Sequence, residues 1–206
     1  MCRRARLLLT IAFTSLFAVA VHAQLFDPNQ DQPSTPFAQQ VFSSAFPLEC
    51  QVLQQFNPGI SSCGVDTLIR NPTLLAWGLT TPVAPLITQT RYNPTSTQPL
   101  QNQFGPGATF FIFAHEAGHH FDLQFPNATV PWAATFPPIP PANPILMMSW
   151  NRELRADAWA GCAIKRAGMS LLAAAQLQQL TAMRIGADIP PFQSELAAIS
   201  AGYGAC

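Results

Sequence analysis

The chain has 206 residues, ten of them basic and ten acidic, and charged side chains make up only 10% of it. That length suffices for one domain with a sizeable core. Beyond the first few residues no cluster of lysine or arginine forms, which argues against a nucleic-acid-binding protein and against a helix lying on a membrane surface.

Arg3, Arg4 and Arg6 precede an apolar run over residues 7–20, and Val21-His22-Ala23 offers the small residues that a signal peptidase reads. Residues 1–23 therefore read as a secretory signal peptide. The run of 14 residues is shorter than the ~20 a spanning helix needs. The expectation is an exported protein, periplasmic or extracellular, with no stable membrane anchor after cleavage. Its remaining 183 residues (206 minus 23) carry seven basic and ten acidic groups, a net charge of −3.

Residues 24–47 are rich in Gln, Pro, Ser and Asp and read as an extended or weakly ordered arm, with residues 48–206 as the folded domain. A short helix is predicted over 48–56, ended by Asn57-Pro58-Gly59. Residues 77–92 are β-prone but interrupted by Pro82 and Pro85, which suits an edge strand or a loop, and 86–92 is the strand candidate. An edge of that kind can dock an extended peptide by strand addition. Gly105-Pro106-Gly107 and Pro126 bracket an apolar segment that predicts a buried helix. Residues 126–144 read as a stiff polyproline crossing between helices, and Asn127-Ala128-Thr129 matches a glycosylation acceptor. Further helices are predicted over 149–167, stopped by Gly168, over 170–185, and from Ser194 onward.

Four cysteines follow the leader, Cys50, Cys63, Cys162 and Cys206, and an even count in an oxidising compartment reads as two disulfides. Of the three possible pairings, the short loop around Asn57-Pro58-Gly59 favours Cys50 with Cys63. Cys162 with Cys206 would then tie the last residue back to a helix. No two cysteines stand close enough for the usual cysteine zinc spacing.

Inside the bracketed helix lies His115-Glu116-Ala117-Gly118-His119. Residues four apart share one helical face, so His115 and His119 can grip one metal ion while Glu116 takes a proton from a water on it. The segment before the motif, 108–114, is apolar without a break, so these polar groups are buried. Burying histidines and a carboxylate is costly unless they coordinate or pair, which argues for ligands over inert core residues. The reaction class is metal-assisted hydrolysis of a peptide bond, with one Zn2+ as cofactor and a peptide or protein as substrate.

Two histidines do not complete a zinc site. His120, the other histidine beyond the leader, points about 100° away from His119 around the helix. A glycine three residues and a histidine six residues after the motif are absent, because Asp122 and Phe125 stand there. A carboxylate remains, and Glu153 and Asp157 stand four apart on the helix predicted over 149–167. Like charges at that spacing repel in an isolated helix, and a metal ion and an imidazole N–H between them convert the cost into attraction. Pairing with Arg152, Arg155 and Lys165 is the plain structural alternative.

His115 to His119 followed by Glu153-x-x-x-Asp157 resembles the gluzincin metallopeptidases. More narrowly, His-Glu-Ala-Gly-His-His and Glu-Leu-Arg-Ala-Asp-Ala-Trp-Ala-Gly are similar to bacterial neutral zinc metallopeptidases. The resemblance covers the two central helices, and more loosely the helix after them, and does not extend to residues 24–75. It implies a mainly α, α+β zincin-like core with an active-site helix, a second ligand helix and a small edge sheet. It also implies His115, His119 and Glu153 as ligands, Glu116 as base and Asp157 as the group that orients His115. Tyr92, Tyr203 and His120 are the candidates for holding an oxyanion. The alternative reading is a catalytically inactive zinc-binding protein of the same fold with an interaction or inhibitory role, which has no chemical need for Glu116.

Overall fold

The computed structural model describes residues 26–132, 144–171 and 190–206. Residues 1–25, which include the segment read as a signal peptide, residues 133–143 of the expected polyproline crossing and residues 172–189, which include most of the helix expected over 170–185, lie outside the described residues. Within them the chain is mainly helical with one small sheet.

The first long helix, α1, spans Pro36–Phe56. The Thr35 side chain accepts the Ala38 N–H at 3.1 Å, and Pro36 stands where its missing N–H has no helical partner to lose. Ala38, Phe42, Ala45, Val52 and Leu53 recur at helical spacing and are buried. The arm expected over 24–47 is therefore helical from Pro36, and the helix expected over 48–56 is only its second half. The residues that suggested disorder, Gln39, Gln40, Ser43, Ser44 and Pro47, all lie on the exposed side. Before α1 the chain makes a 3-10 turn at Pro28–Gln30 and a two-residue strand, β1 (Gln32–Pro33).

The sheet adds β2 (Val65–Arg70), β3 (Gly78–Ala84) and β4 (Ile87–Tyr92), in the order β1-β2-β4-β3. β2 and β4 are parallel, and the other two pairings are antiparallel. The predicted strand is β4, but it is paired on both sides. The edge is β3, which accommodates Pro82 next to a register shift between Pro82 and Ala84. A short helix, α2 (Pro94–Phe104), follows, with the Asn93 side chain accepting the Thr95 N–H at 2.8 Å.

α3 (Pro106–Gln124) is the centre of the molecule. Gly105, at φ +77°, turns the chain into it, and Pro106 opens it. Every residue from Ala108 to Gly118 is buried, as are His120 and Phe121, so neighbours cover the middle of the helix around most of its circumference. It packs against α1, β3 and α4 (Pro144–Arg166), and α4 packs in turn against α5 (Phe192–Ala205). α4 begins five residues before the predicted 149, and α5 begins at 192 rather than 194. Aromatic rings fill the seams: Phe113 meets Phe42 and Tyr92 edge-on, and Trp159 packs on Phe121 and Trp132. Cys50 is bonded to Cys63 and Cys162 to Cys206, the pairings favoured from the sequence. No helix among the described residues is long and apolar enough to cross a membrane.

Gly118 sets the distance between α3 and α4. A Cβ there would lie 2.8 Å from Trp159 Cβ and 2.9 Å from Ala156 Cα, closer than side-chain atoms pack. Gly118→Ala should therefore destabilise the fold by roughly 1–3 kcal/mol, measured by denaturant unfolding, because backbone rather than a flexible side-chain tip must give way. Glu49 of α1 is fully buried and, among the described residues, neither carboxyl oxygen has a hydrogen-bond partner. Burial pushes its carboxyl well above the ordinary value, against the pull of His115. A raised carboxyl keeps its proton in the fold after the unfolded chain has lost it. Stability is thus full below the ordinary value of 4.5 and falls as pH rises above it. Glu49→Gln should flatten that slope in urea unfolding measured from about pH 5 to pH 8.

Candidate metal centre

The close approach at Gly118 brings the histidine face of α3 against the carboxylate face of α4. His115 Nδ1 lies 2.8 Å from Asp157 Oδ1, with Asp157 fully buried and His115 2% exposed. A carboxylate only accepts, so Nδ1 carries the hydrogen and Nε2 is left as a lone pair. That lone pair faces Glu153: His115 Nε2 is 3.2 Å from Glu153 Oε2, and His119 Nε2 is 3.4 Å from Glu153 Oε1. The ligand atoms of His115, His119 and Glu153 all lie within 4.8 Å of one another.

This donor set fits a metal ion. Two ligands about 2.0–2.1 Å from a tetrahedral ion sit roughly 3.3 Å apart, which is the separation of Glu153 from each histidine. Without a cation or an extra proton between them, nitrogen lone pairs and carboxylate oxygens at these distances would repel. Burial drives the Glu153 carboxyl up, but positive charge on His119 and hydrogen bonds from both histidines, their protons standing where the ion would, overcome it and hold the group well below the ordinary carboxylate range. An anionic carboxylate between two imidazoles is the form a metal needs. Glu153 keeps 27% of its side-chain surface exposed and His119 17%, so the cluster opens to solvent on that side. His115, His119 and Glu153 can hold a metal ion.

The arginine pairing considered for the α4 carboxylates is directed elsewhere in one case, since Arg155 bonds Asp122 of α3 at 2.7 Å. Burial pushes the Asp122 carboxyl up despite that guanidinium.

Glu116 turns toward the sheet. Its Oε2 accepts a hydrogen bond from Thr80 Oγ1 at 3.0 Å, and the same hydroxyl lies 3.0 Å from the Glu116 carbonyl oxygen. Gly78, two residues earlier on β3, makes room for it: a Cβ there would overlap Glu116 Oε1. Glu116 is 5% exposed and so is fixed rather than free to swing.

None of the three oxyanion candidates has a polar atom aimed at this cluster. His120 is fully buried on the sheet side of α3, with Nε2 donating to the Cys63 carbonyl at 2.6 Å and Nδ1 2.7 Å from Thr88 Oγ1. Burial lowers its pKa, against the Cys63 carbonyl and Asp66, so the ring is neutral and structural. The Tyr92 hydroxyl accepts from the Thr35 N–H at 3.3 Å, and that of Tyr203 donates to the Met169 carbonyl at 3.1 Å. Thr80 and Gly78 were not singled out in the sequence, where nothing local marks them: their role arises from β3 lying across α3.

Comparison with models of known families finds no match, and neither do comparisons with curated proteins and with solved structures.

Two variants test the cluster by zinc titration calorimetry. Asp157→Ala should weaken zinc binding about 10–100-fold, because His115 loses the group that fixes its tautomer and orientation. Glu153→Ala should weaken it further, by removing a ligand outright. Undiminished affinity in the second variant would mean that Glu153 is not a ligand.

Proposed function

We propose that this chain is an exported zinc-dependent endopeptidase with a zincin-like core. The observation that carries the reading is the convergence of His115, His119 and Glu153, with Asp157 behind His115 and Glu116 one residue from it in a fixed pose. A two-histidine, one-carboxylate set with an open side is the ligand arrangement of catalytic zinc sites. The gluzincin-like spacing of the sequence supports the same assignment.

Zinc held by His115, His119 and Glu153 would supply a Lewis acid for a peptide carbonyl and a water activated near neutral pH. The protein's own part divides among seven residues. Asp157 holds His115 in one tautomer, and His115, His119 and Glu153 set the coordination directions. Glu116 accepts the proton of the attacking water and delivers it to the leaving amine, for which its anionic form is required. Thr80 and Gly78 fix the direction of that carboxylate.

The second reading, a metal-binding protein without catalysis, is favoured by one observation: Tyr92, Tyr203 and His120 spend their polar atoms elsewhere. Glu116→Gln separates the two. The variant should bind zinc as the wild type does and cleave an unfolded protein substrate at least about 10²-fold more slowly, the usual worth of a general base. Wild-type cleavage should disappear with a chelator. Cleavage by Glu116→Gln at the wild-type rate would remove Glu116 from the mechanism, and a wild type with bound zinc but no cleavage would favour the second reading.

A further inference from the structure

The face of the sheet that meets α3 is not aliphatic. Thr80 of β3 stands opposite Thr90 of β4, and Asp66 of β2 stands opposite Thr88. Thr88 and Thr90 are fully buried and Thr80 is 8% exposed. Three of these side chains link end to end with Glu116. Thr80 Oγ1 is 3.0 Å from Glu116 Oε2, Thr80 Oγ1 is 2.7 Å from Thr90 Oγ1, and Thr90 Oγ1 is 2.7 Å from Asp66 Oδ2.

Counting protons along this chain gives a result that no single contact shows. Thr80 Oγ1 lies equally close to the Glu116 carbonyl oxygen, so its one hydrogen serves both Glu116 oxygens as a bifurcated bond, and each of the three side-chain contacts, all of hydrogen-bond length, needs one hydrogen. The two threonine hydroxyls supply two. With both carboxyls ionised, one contact would set lone pair against lone pair in a buried site, where an unsatisfied pair is most costly. The third hydrogen must come from a carboxyl at one end. Glu116 at that end adjoins His115 in the chain and is the base of the proposed function. Asp66 lies at the other end, across two strands.

We propose that Asp66 holds this third proton, so that Asp66 donates to Thr90, Thr90 to Thr80, and Thr80 to Glu116. Asp66 is then a positioning residue. It directs both hydroxyls toward α3 and keeps Glu116 Oε2 as an accepting carboxylate in one orientation. Burial, which pushes the Asp66 carboxyl up against the pull of Thr90, His120 and Thr88, acts in the same sense. The ionisable groups facing Asp66 from α3 are Glu116 at the far end of this chain and His120, whose Nε2–H is committed to the Cys63 carbonyl.

The need for a third proton stands on geometry, whereas its placement on Asp66 and its consequence for hydrolysis rest on Glu116 being the base. Two measurements separate them. Infrared difference spectra at neutral pH, taken on the folded metal-free protein, should show a protonated-carboxyl stretch that Asp66→Asn removes. Thr90→Val, close to isosteric, should shift that band by taking away its acceptor. A spectrum unchanged by Asp66→Asn would overturn the proposal whether or not the protein cleaves peptides. In the active protein, Thr80→Val should lower kcat about tenfold at unchanged KM and unchanged zinc affinity, and Thr80→Ser should restore it. A Thr80→Val variant with wild-type kcat would refute the positioning role, while a wild type without cleavage but with the infrared result intact would count against the peptidase reading alone.

Discussion

The structure depends on one constraint: α3 is buried from Ala108 to Gly118 and at His120 and Phe121, and still carries four ionisable side chains between positions 115 and 120. Enclosing such groups without partners is costly, and each of these four ties the helix to a neighbour. His115 and His119, four apart, face α4 and meet Asp157 and Glu153. Glu116 and His120, also four apart, face the sheet and meet Thr80 and Thr88. The helical repeat sorts the four groups into two pairs, and each pair fixes one interface of the core.

Other parts of the fold hold those interfaces in place. Gly118 lets the α4 backbone approach closely enough for carboxylates and imidazoles to meet, and Gly78 does the same for β3 and Glu116. The Cys50–Cys63 disulfide anchors the residue whose carbonyl holds His120. The Cys162–Cys206 disulfide anchors α5 to α4, behind the helix that presents Glu153 and Asp157. Closing loops of this size contributes about 3–4 kcal/mol each in a chain-entropy account, which offsets part of the cost of so many buried polar groups. On the far side of the sheet Arg91 holds Asp31 through both carboxylate oxygens, joining β4 to the segment that leads into α1.

The two-helix half of the site was legible because its information is local. His115 and His119 share a face, Glu153 and Asp157 share a face, and in both cases spacing within one helix is enough to see it. The short Cys50–Cys63 loop was legible for the same reason. The sheet half was not: Thr80 and Glu116 are 36 residues apart, and their meeting depends on strand order and register, which alternation within one strand does not encode. The first half of α1 was missed because its exposed Gln and Ser residues outweigh the buried Ala38, Phe42 and Ala45 in composition, although Thr35-Pro36 is a readable helix start. α2 was missed likewise, with Asn93-Pro94 as the unread signal. His120 shows the reverse case, a residue whose proximity to the motif suggested chemistry and whose helical angle assigns it to the core.

The central claim is that α3 and α4 together build one metal site from two imidazoles and a carboxylate. X-ray absorption at the zinc edge of the loaded protein reads those ligands directly. The account predicts one ion per chain with only nitrogen and oxygen neighbours at about 2.0–2.2 Å and the multiple-scattering signature of two imidazoles. Sulfur neighbours at about 2.3 Å, or a signal without imidazole scattering, would contradict it.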